Sequence, residues 1–410
     1  MMKKYLLLGM LPTIMFGENL QSLLESAVQN NHLIYAKKIN KNAKAKEIEG
    51  IQKSYYPTID VNGFYKRDDD ATPFQPGTTY GASLKVGFDI YDGGRKLALK
   101  QQKESEYKAS SFDTKAQTKN ILLAIVRDFY QLKTLQATLQ AQIESSKAVK
   151  AQLQRIQHFY EAKLVTHDDV DRLQSAYDSN LYAIESIKFQ ITSLQKSLEL
   201  KVGKKIQSFD DSFFVKKEDK PTKLDAIRSL EYKKMALKHL AKSVVSAYKP
   251  MVHIEDKYTL YGYKDKPQIR GLNFLDHQNE ILLSAGMRVF DFGALKTQKE
   301  VIKLQANALQ QQILYKTKEQ QMQQELALQR IQSAKLNIKS SKSALKAAMS
   351  ALQTITQKYN AGVVDNVTYL DALSAKTKAK ALYEASLNNL EMAYAMYYFY
   401  NNKNLMEYLQ

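Results

Sequence analysis

Neither glycine nor proline occurs between residues 95 and 202, and between residues 294 and 401 the one interruption is Gly362. Helix interiors exclude both residues, at about 1 kcal/mol for glycine and about 3 for proline, so runs this clean point to very long helices. The apolar residues keep the same period. Leu122, Ile125, Phe129, Leu132, Leu135, Leu139 and Ile143 recur at spacings of three and four, and Val149, Leu153, Ile156 and Tyr160 continue the stripe. At 1.5 Å per residue, the run from residue 95 to 162 spans roughly 100 Å. An apolar seam of that length calls for coiled-coil-like partners. The first run turns near residues 163–169 and returns through Leu173, Ala176, Tyr177, Leu181, Ile184, Ile187 and Ile191. The second turns at Gly362, which supplies a positive φ at a helix end. Tyr359-Asn360-Ala361-Gly362-Val363-Val364-Asp365 echoes Tyr160-Glu161-Ala162-Lys163-Leu164-Val165 at an offset of 199 residues.

Each helical run is preceded by a change of period. Ile59, Val61, Gly63 and Tyr65 alternate with Asp60, Asn62, Phe64 and Lys66; Leu84, Val86, Phe88 and Ile90 alternate with Ser83, Lys85, Gly87 and Asp89. The second copy reads Val252, Ile254, Tyr258 and Leu260 against His253, Glu255, Lys257 and Thr259, then Ile281, Leu283, Ala285, Met287 and Val289 against Leu282, Ser284, Gly286 and Arg288. These are hairpins of strands with one apolar and one polar face. Their lengths approach the nine to eleven residues that a membrane strand needs. Residues 54–94 and 248–293 hold ten of the fifteen glycines and five of the seven prolines, which sets them apart from the helical runs. A repeat at this distance is a duplicated module.

The expected organisation is a signal peptide over 1–17 and a first repeat over 18–204, with a helix ending before Pro57, a β-hairpin at 58–91 and a helical hairpin at 95–202. A linker follows over 205–223. The second repeat covers 224–403, with a helix, a β-hairpin at 251–290 and a helical hairpin at 294–401, and a tail completes the chain at 404–410. Lys3 and Lys4 followed by an apolar stretch to Phe16 read as a secretory signal, and that stretch is too short to span a membrane as a helix.

Four strands cannot seal a barrel in lipid, where open edges do not occur and the smallest bacterial barrels have about eight. The chain must therefore oligomerise, giving eight, twelve or sixteen strands for two, three or four copies. The formal net charge of +18 comes from lysines spread along helical faces, not from a basic patch interleaved with aromatics, so nucleic acid is not an expected partner. Cysteine is absent, which removes disulfides, thiolate metal sites, a cysteine nucleophile and a lipidated cysteine anchor. The six histidines show no metal-ligand spacing, and no nucleophile–base set or phosphate loop is present. No cofactor and no enzymatic activity are expected. Asp168 and Asp169 suit the start of a returning helix, where carboxylates complement the dipole. Tyr394, Tyr397, Tyr398, Phe399 and Tyr400 are expected to pack at the barrel end of the last helix.

With these residues in view, the chain resembles the TolC family of outer-membrane efflux channels. The resemblance rests on Tyr56-Pro57-Thr58-Ile59-Asp60 entering the first strand, on Ile90-Tyr91-Asp92-Gly93-Gly94 at the strand-to-helix junction, and on the repeated hairpin turn. It implies a mixed α and β membrane protein: a homotrimer whose four strands per protomer form a composite 12-stranded barrel, continued by helical hairpins as a periplasmic tunnel. It also implies an exit duct of a tripartite efflux or type I secretion system. Its partners would be outer-membrane lipid, a periplasmic adaptor (membrane fusion protein) and an inner-membrane pump of RND or ABC type. By the same resemblance Asp371 and Thr368 mark the pore gate, and Tyr359 with Asp169 the latch of the closed state. Gly362, Val363, Lys163 and Leu164 mark the adaptor-docking tips. A basic residue that the family uses in the latch falls on Val364, and the glycine of the first tip is Lys163. The competing reading is an exported coiled-coil or adhesin-like protein without a pore.

Overall fold

The computed structural model describes residues 19–69, 76–206, 209–217, 219–264 and 273–410. The expected signal peptide at 1–17 lies outside the described residues. The chain runs α1 (Leu20–Asn30), α2 (His32–Lys53), β1 (Thr58–Arg67), β2 (Thr78–Asp92), α3 (Arg95–Glu161), α4 (His167–Val202), α5 (Asp225–Val245), β3 (Met251–Lys264), β4 (His277–Gly286), α6 (Ala294–Asn360) and α7 (Asn366–Tyr400). The helices α3 and α6 are 67 residues each and unbroken. No helix among the described residues is long and apolar enough to cross a membrane.

Two compact units form. The first holds residues 37–114 and 225–317 and contains all four strands, antiparallel in the order β1-β2-β3-β4. The pairing register puts Asp60, Lys85, Lys257 and Glu280 in one row across the sheet, and Ile59, Val86, Asp256 and Ile281 in the row beside it. Adjacent rows point to opposite faces, so one face is chiefly apolar with Ile59, Val61, Leu84, Val86, Ile281 and Leu283, all exposed. The other face is polar. Among the described residues, β1 and β4 each pair on one side only. Pairing of β4 stops at Gly286, short of residue 290, because its partner Met251 is the first residue of β3.

Both strand-to-helix junctions are built alike, at the 199-residue offset. Asp92 Oδ1 and Oδ2 accept from the backbone N–H groups of Gly94 and Lys96, and Asp291 accepts from those of Gly293 and Leu295. These carboxylates satisfy N–H groups that the first helical turn leaves without partners. The tight reversal needs two consecutive left-handed residues: Gly93 and Gly94 in the first copy, Phe292 and Gly293 in the second. A Cβ on Gly93 would meet the Ser246 carbonyl oxygen at 2.5 Å, so only glycine fits there.

The second unit holds the described residues up to 36 together with 115–224 and 318–410. Its larger core joins Leu20, Leu23 and Leu24 of α1 with Ile125 and Phe129 of α3, Leu198 and Val202 of α4, and Ala395 and Tyr398 of α7. Phe214 of the linker and Leu405 of the tail enter the same core, and Phe214 forms an isolated antiparallel bridge with Leu409. The tyrosines near the end of α7 thus pack, but their place differs from the expected one. Tyr398 is fully buried against Phe214 and Tyr408, in the unit that contains none of the four strands. The first expected helix is two. Asn31 interrupts it because its side chain turns inward: Oδ1 caps α2 by accepting from Leu33 and Ile34, and Nδ2 donates to the Lys201 carbonyl at 2.7 Å.

Candidate gate at the hairpin tips

The two hairpin turns share one backbone design. After α3, the Lys163 N–H reaches the Tyr160 carbonyl and the Leu164 N–H reaches that of Phe159; after α6, Gly362 and Val363 bond Tyr359 and Lys358 in the same pattern. This paired bonding is the Schellman motif, which needs a left-handed residue just past the helix. Lys163 has φ 61° and Gly362 has φ 72°. A lysine in that region costs about 1 kcal/mol or more relative to glycine. The next residue of each turn projects outward, with Leu164 71% and Val363 69% exposed.

The returning helices start differently. Asp365 caps α7, its Oδ1 accepting from the Thr368 backbone N–H at 2.9 Å and from the Thr368 hydroxyl at 2.6 Å. Those bonds hold the Asp365 carboxyl below the usual carboxylate range. Thr368 therefore spends its hydroxyl on the cap. At α4, Thr166 makes no side-chain cap bond; its hydroxyl donates to Asp169 Oδ2 at 3.1 Å, and Asp168 and Asp169 occupy the first turn.

Beneath the turns lies a small core of Val149, Leu153, Ile156, Leu173, Tyr369 and Leu373, with Tyr359 packed against it. Tyr359 stacks on Tyr369 at 5.0 Å and 20°, and its buried hydroxyl has no hydrogen-bond partner among the described residues. Burial pushes the Tyr359 hydroxyl pKa up, and the Asp169 charge acts in the same direction while Arg155 opposes it. Asp169 bonds Asn366, whose Nδ2 donates to Oδ1 at 3.0 Å. Tyr359 and Asp169 thus belong to one cluster without bonding each other inside a protomer. Arg155 completes it. Its Nη1 donates to Asn360 Oδ1 at 2.7 Å, and the guanidinium lies over the Phe159 and Tyr359 rings at 5.2 and 5.9 Å. Arg155, Asn360 and Asn366 carry no local sequence signal, since Arg155 and Asn360 meet across 205 residues.

Asp371 is exposed two residues beyond the buried Tyr369, in a groove of about 440 Å³ also lined by Gln142, Ser145, Asn180, Ser374 and Lys378. Beside this groove, Glu144 of α3 holds Lys376 and Lys380 of α7 at 3.2 and 2.7 Å. The arrangement can tie two helical hairpins together at their ends and present carboxylates beside them. Among the described residues no cluster suited to a metal ion exists.

Residues 23–203 match the family model described as outer membrane efflux protein. No curated protein sequence matches the chain. Among solved structures, the Campylobacter jejuni CmeC outer membrane channel is similar at TM-score 0.83 and 15% identity, over 94% of this chain and 86% of that one. The open state of the Neisseria gonorrhoeae MtrE outer membrane channel is similar at 0.78 and 15%, over 94% and 89%. The outer membrane protein VceC of Vibrio cholerae is similar at 0.78 and 13%, over 94% and 96%. At such identities these likenesses concern the fold, which they share over nearly the full length. The family match covers the first repeat, and the fold of these outer-membrane channels extends over nearly the whole chain.

Proposed function

We propose that the protein is the passive exit duct of a tripartite efflux or type I secretion system. Three copies close a 12-stranded barrel in the outer membrane, and their helical hairpins continue it as a tunnel into the periplasm. The observation that carries this reading is the four-stranded sheet, with an apolar face and, among the described residues, two unpaired edges. Lipid does not tolerate such edges, and closure by further copies removes them. The exposed Leu164 and Val363 support adaptor docking at the tips, with a periplasmic membrane fusion protein and an RND or ABC pump beyond it. Energy comes from the pump; the duct supplies a water-filled path and a gate built from the Tyr359–Asp169–Arg155 cluster and the Asp371 carboxylates.

Membrane fractionation with native-mass measurement tests the reading. The expected result is a protein that stays in the outer membrane through carbonate washing and has the mass of a trimer after detergent extraction. Release by carbonate, or extraction as a monomer, contradicts it and would favour the scaffold or adhesin-like alternative.

A further inference from the structure

Helices α4 and α6 each carry a face near the hairpin tips that the protomer leaves uncovered. On α4, Asp171, Asp178 and Glu185 recur every seventh residue, opposite the inward Leu173 and Ile184. Tyr182 and Phe189, 78% and 74% exposed, lie along the same stripe. Among the described residues the acids have partners only on their own helix: His167 for Asp171, Gln174 for Asp178 and Lys188 for Glu185.

On α6, residues 326–360 contain Arg330, Lys335, Lys339, Lys342, Lys346 and Lys358 and no aspartate or glutamate. Lys335, Lys339, Lys342 and Lys346 follow one another at spacings of four, three and four, so they form a ladder along one side. All four are exposed, and none is in an ion pair among the described residues. Leu328 and Leu336 are exposed beside them, the latter at 70%. Like charges one helical turn apart repel, and large apolar side chains interleaved with them mark a surface that is covered in the assembly.

The two faces match in height. The Asn366–Asp169 bond sets the two tips level within a protomer. Measured from the tip end of each helix at 1.5 Å per residue, Lys346 and Lys342 lie about 21 and 27 Å up α6, while Asp178 and Glu185 lie about 17 and 27 Å up α4. Within the protomer, α3 is already joined to α7 through Glu144–Lys380 and Thr134–Asn388.

We infer that the α6 lysine ladder of one copy seats on the acidic α4 face of the next, with Lys342 against Glu185 and Lys346 against Asp178. This rests on the trimeric reading above. A head-to-tail contact of this kind repeats around a ring and closes it. The opposed charges fix the register of the seam, while Phe189 and Leu336 contribute its apolar area.

The chain has no cysteine, so introduced thiols report cleanly. The test is treatment of membrane-embedded Glu185→Cys/Lys342→Cys with a short bis-maleimide, followed by denaturing electrophoresis. The expected result is covalent dimers and trimers in the double variant and monomer alone in either single variant. A protein that extracts as a trimer yet yields only monomer bands overturns the seam and leaves the trimer standing; a monomeric native mass overturns both. Charge reversal provides the second arm. Glu185→Lys or Lys342→Glu should each lower the temperature of trimer dissociation by roughly 2–4 °C, and the pair together should restore it. Reversals without effect, alone or combined, mark the ladder as a solvated face and contradict the inference.

Discussion

Arg155 of α3 donates a 2.7 Å hydrogen bond to Asn360, the last residue of α6, and covers the Tyr359 ring beside it. One guanidinium therefore joins the first hairpin to the second at the point where the second turns. Arginine suits the position because its planar fork bonds and stacks together, which a lysine ammonium does not.

Removing that tie should favour separation of the tips. A hydrogen bond and an exposed cation–π contact together contribute about 1 kcal/mol, so Arg155→Ala should raise the open-to-closed ratio roughly fivefold. Arg155→Lys should give part of that effect. Single-channel recording measures the open fraction. An unchanged open fraction in Arg155→Ala would remove Arg155 from the gate.

The two turns differ in the residue that takes the left-handed position. Lys163→Gly should stabilise the first tip by about 1 kcal/mol, and Gly362→Ala should destabilise the second by about the same amount. Hydrogen exchange of the amides around each turn reads this directly. Faster exchange near residue 163 in the glycine variant would contradict the assignment.

Much of this fold was legible in the residues. The clean runs around Leu122 and Leu153 specify helices because interior glycine and proline are costly. The alternation of Ile59 and Val61 with Asp60 and Asn62 specifies strands with two unlike faces. What stayed hidden depended on distant contacts. The break at Asn31 follows from a bond to the Lys201 carbonyl, which no local period reveals. Tyr398 reads as an aromatic near a helix end, but its position is set by Phe214 and Tyr408, brought in by the linker and the tail. At the hairpin tips, the shared turn motif displayed Tyr359 and Gly362, whereas Arg155 reads as one charge on a long helix until its partner is known.

Acid should loosen the contact between α3 and α7. Hydrogen bonds from Lys380 and then Lys376 hold the Glu144 carboxyl below its ordinary value of 4.5. A depressed carboxylate contributes its stabilisation in full above the unfolded pKa and loses it as pH falls through the folded one. The side chain is over a third exposed, so screening limits the effect to roughly 0.5–1 kcal/mol. Glu144→Gln should thus lower thermal stability at pH 7, and the gap to the parent protein should shrink progressively as pH falls below the ordinary value of 4.5. A gap of constant size across that range would contradict the ion-pair origin.

Asp371 is exposed near the tip end of α7, without an ion pair among the described residues. Three such carboxylates in a ring would attract cations and repel one another's charge. Asp371→Ala should weaken block by multivalent cations about tenfold and increase leak. Equal block in the variant and the parent protein would place Asp371 outside the pore.

The central claim is that copies of this chain together enclose a continuous aqueous path. Planar-bilayer recording of the purified trimer tests it most directly. The account predicts discrete, repeatable conductance steps that disappear when the protein is dissociated by heat before addition. Membranes that incorporate the intact trimer and show no steps, with Arg155→Ala equally silent, would contradict it.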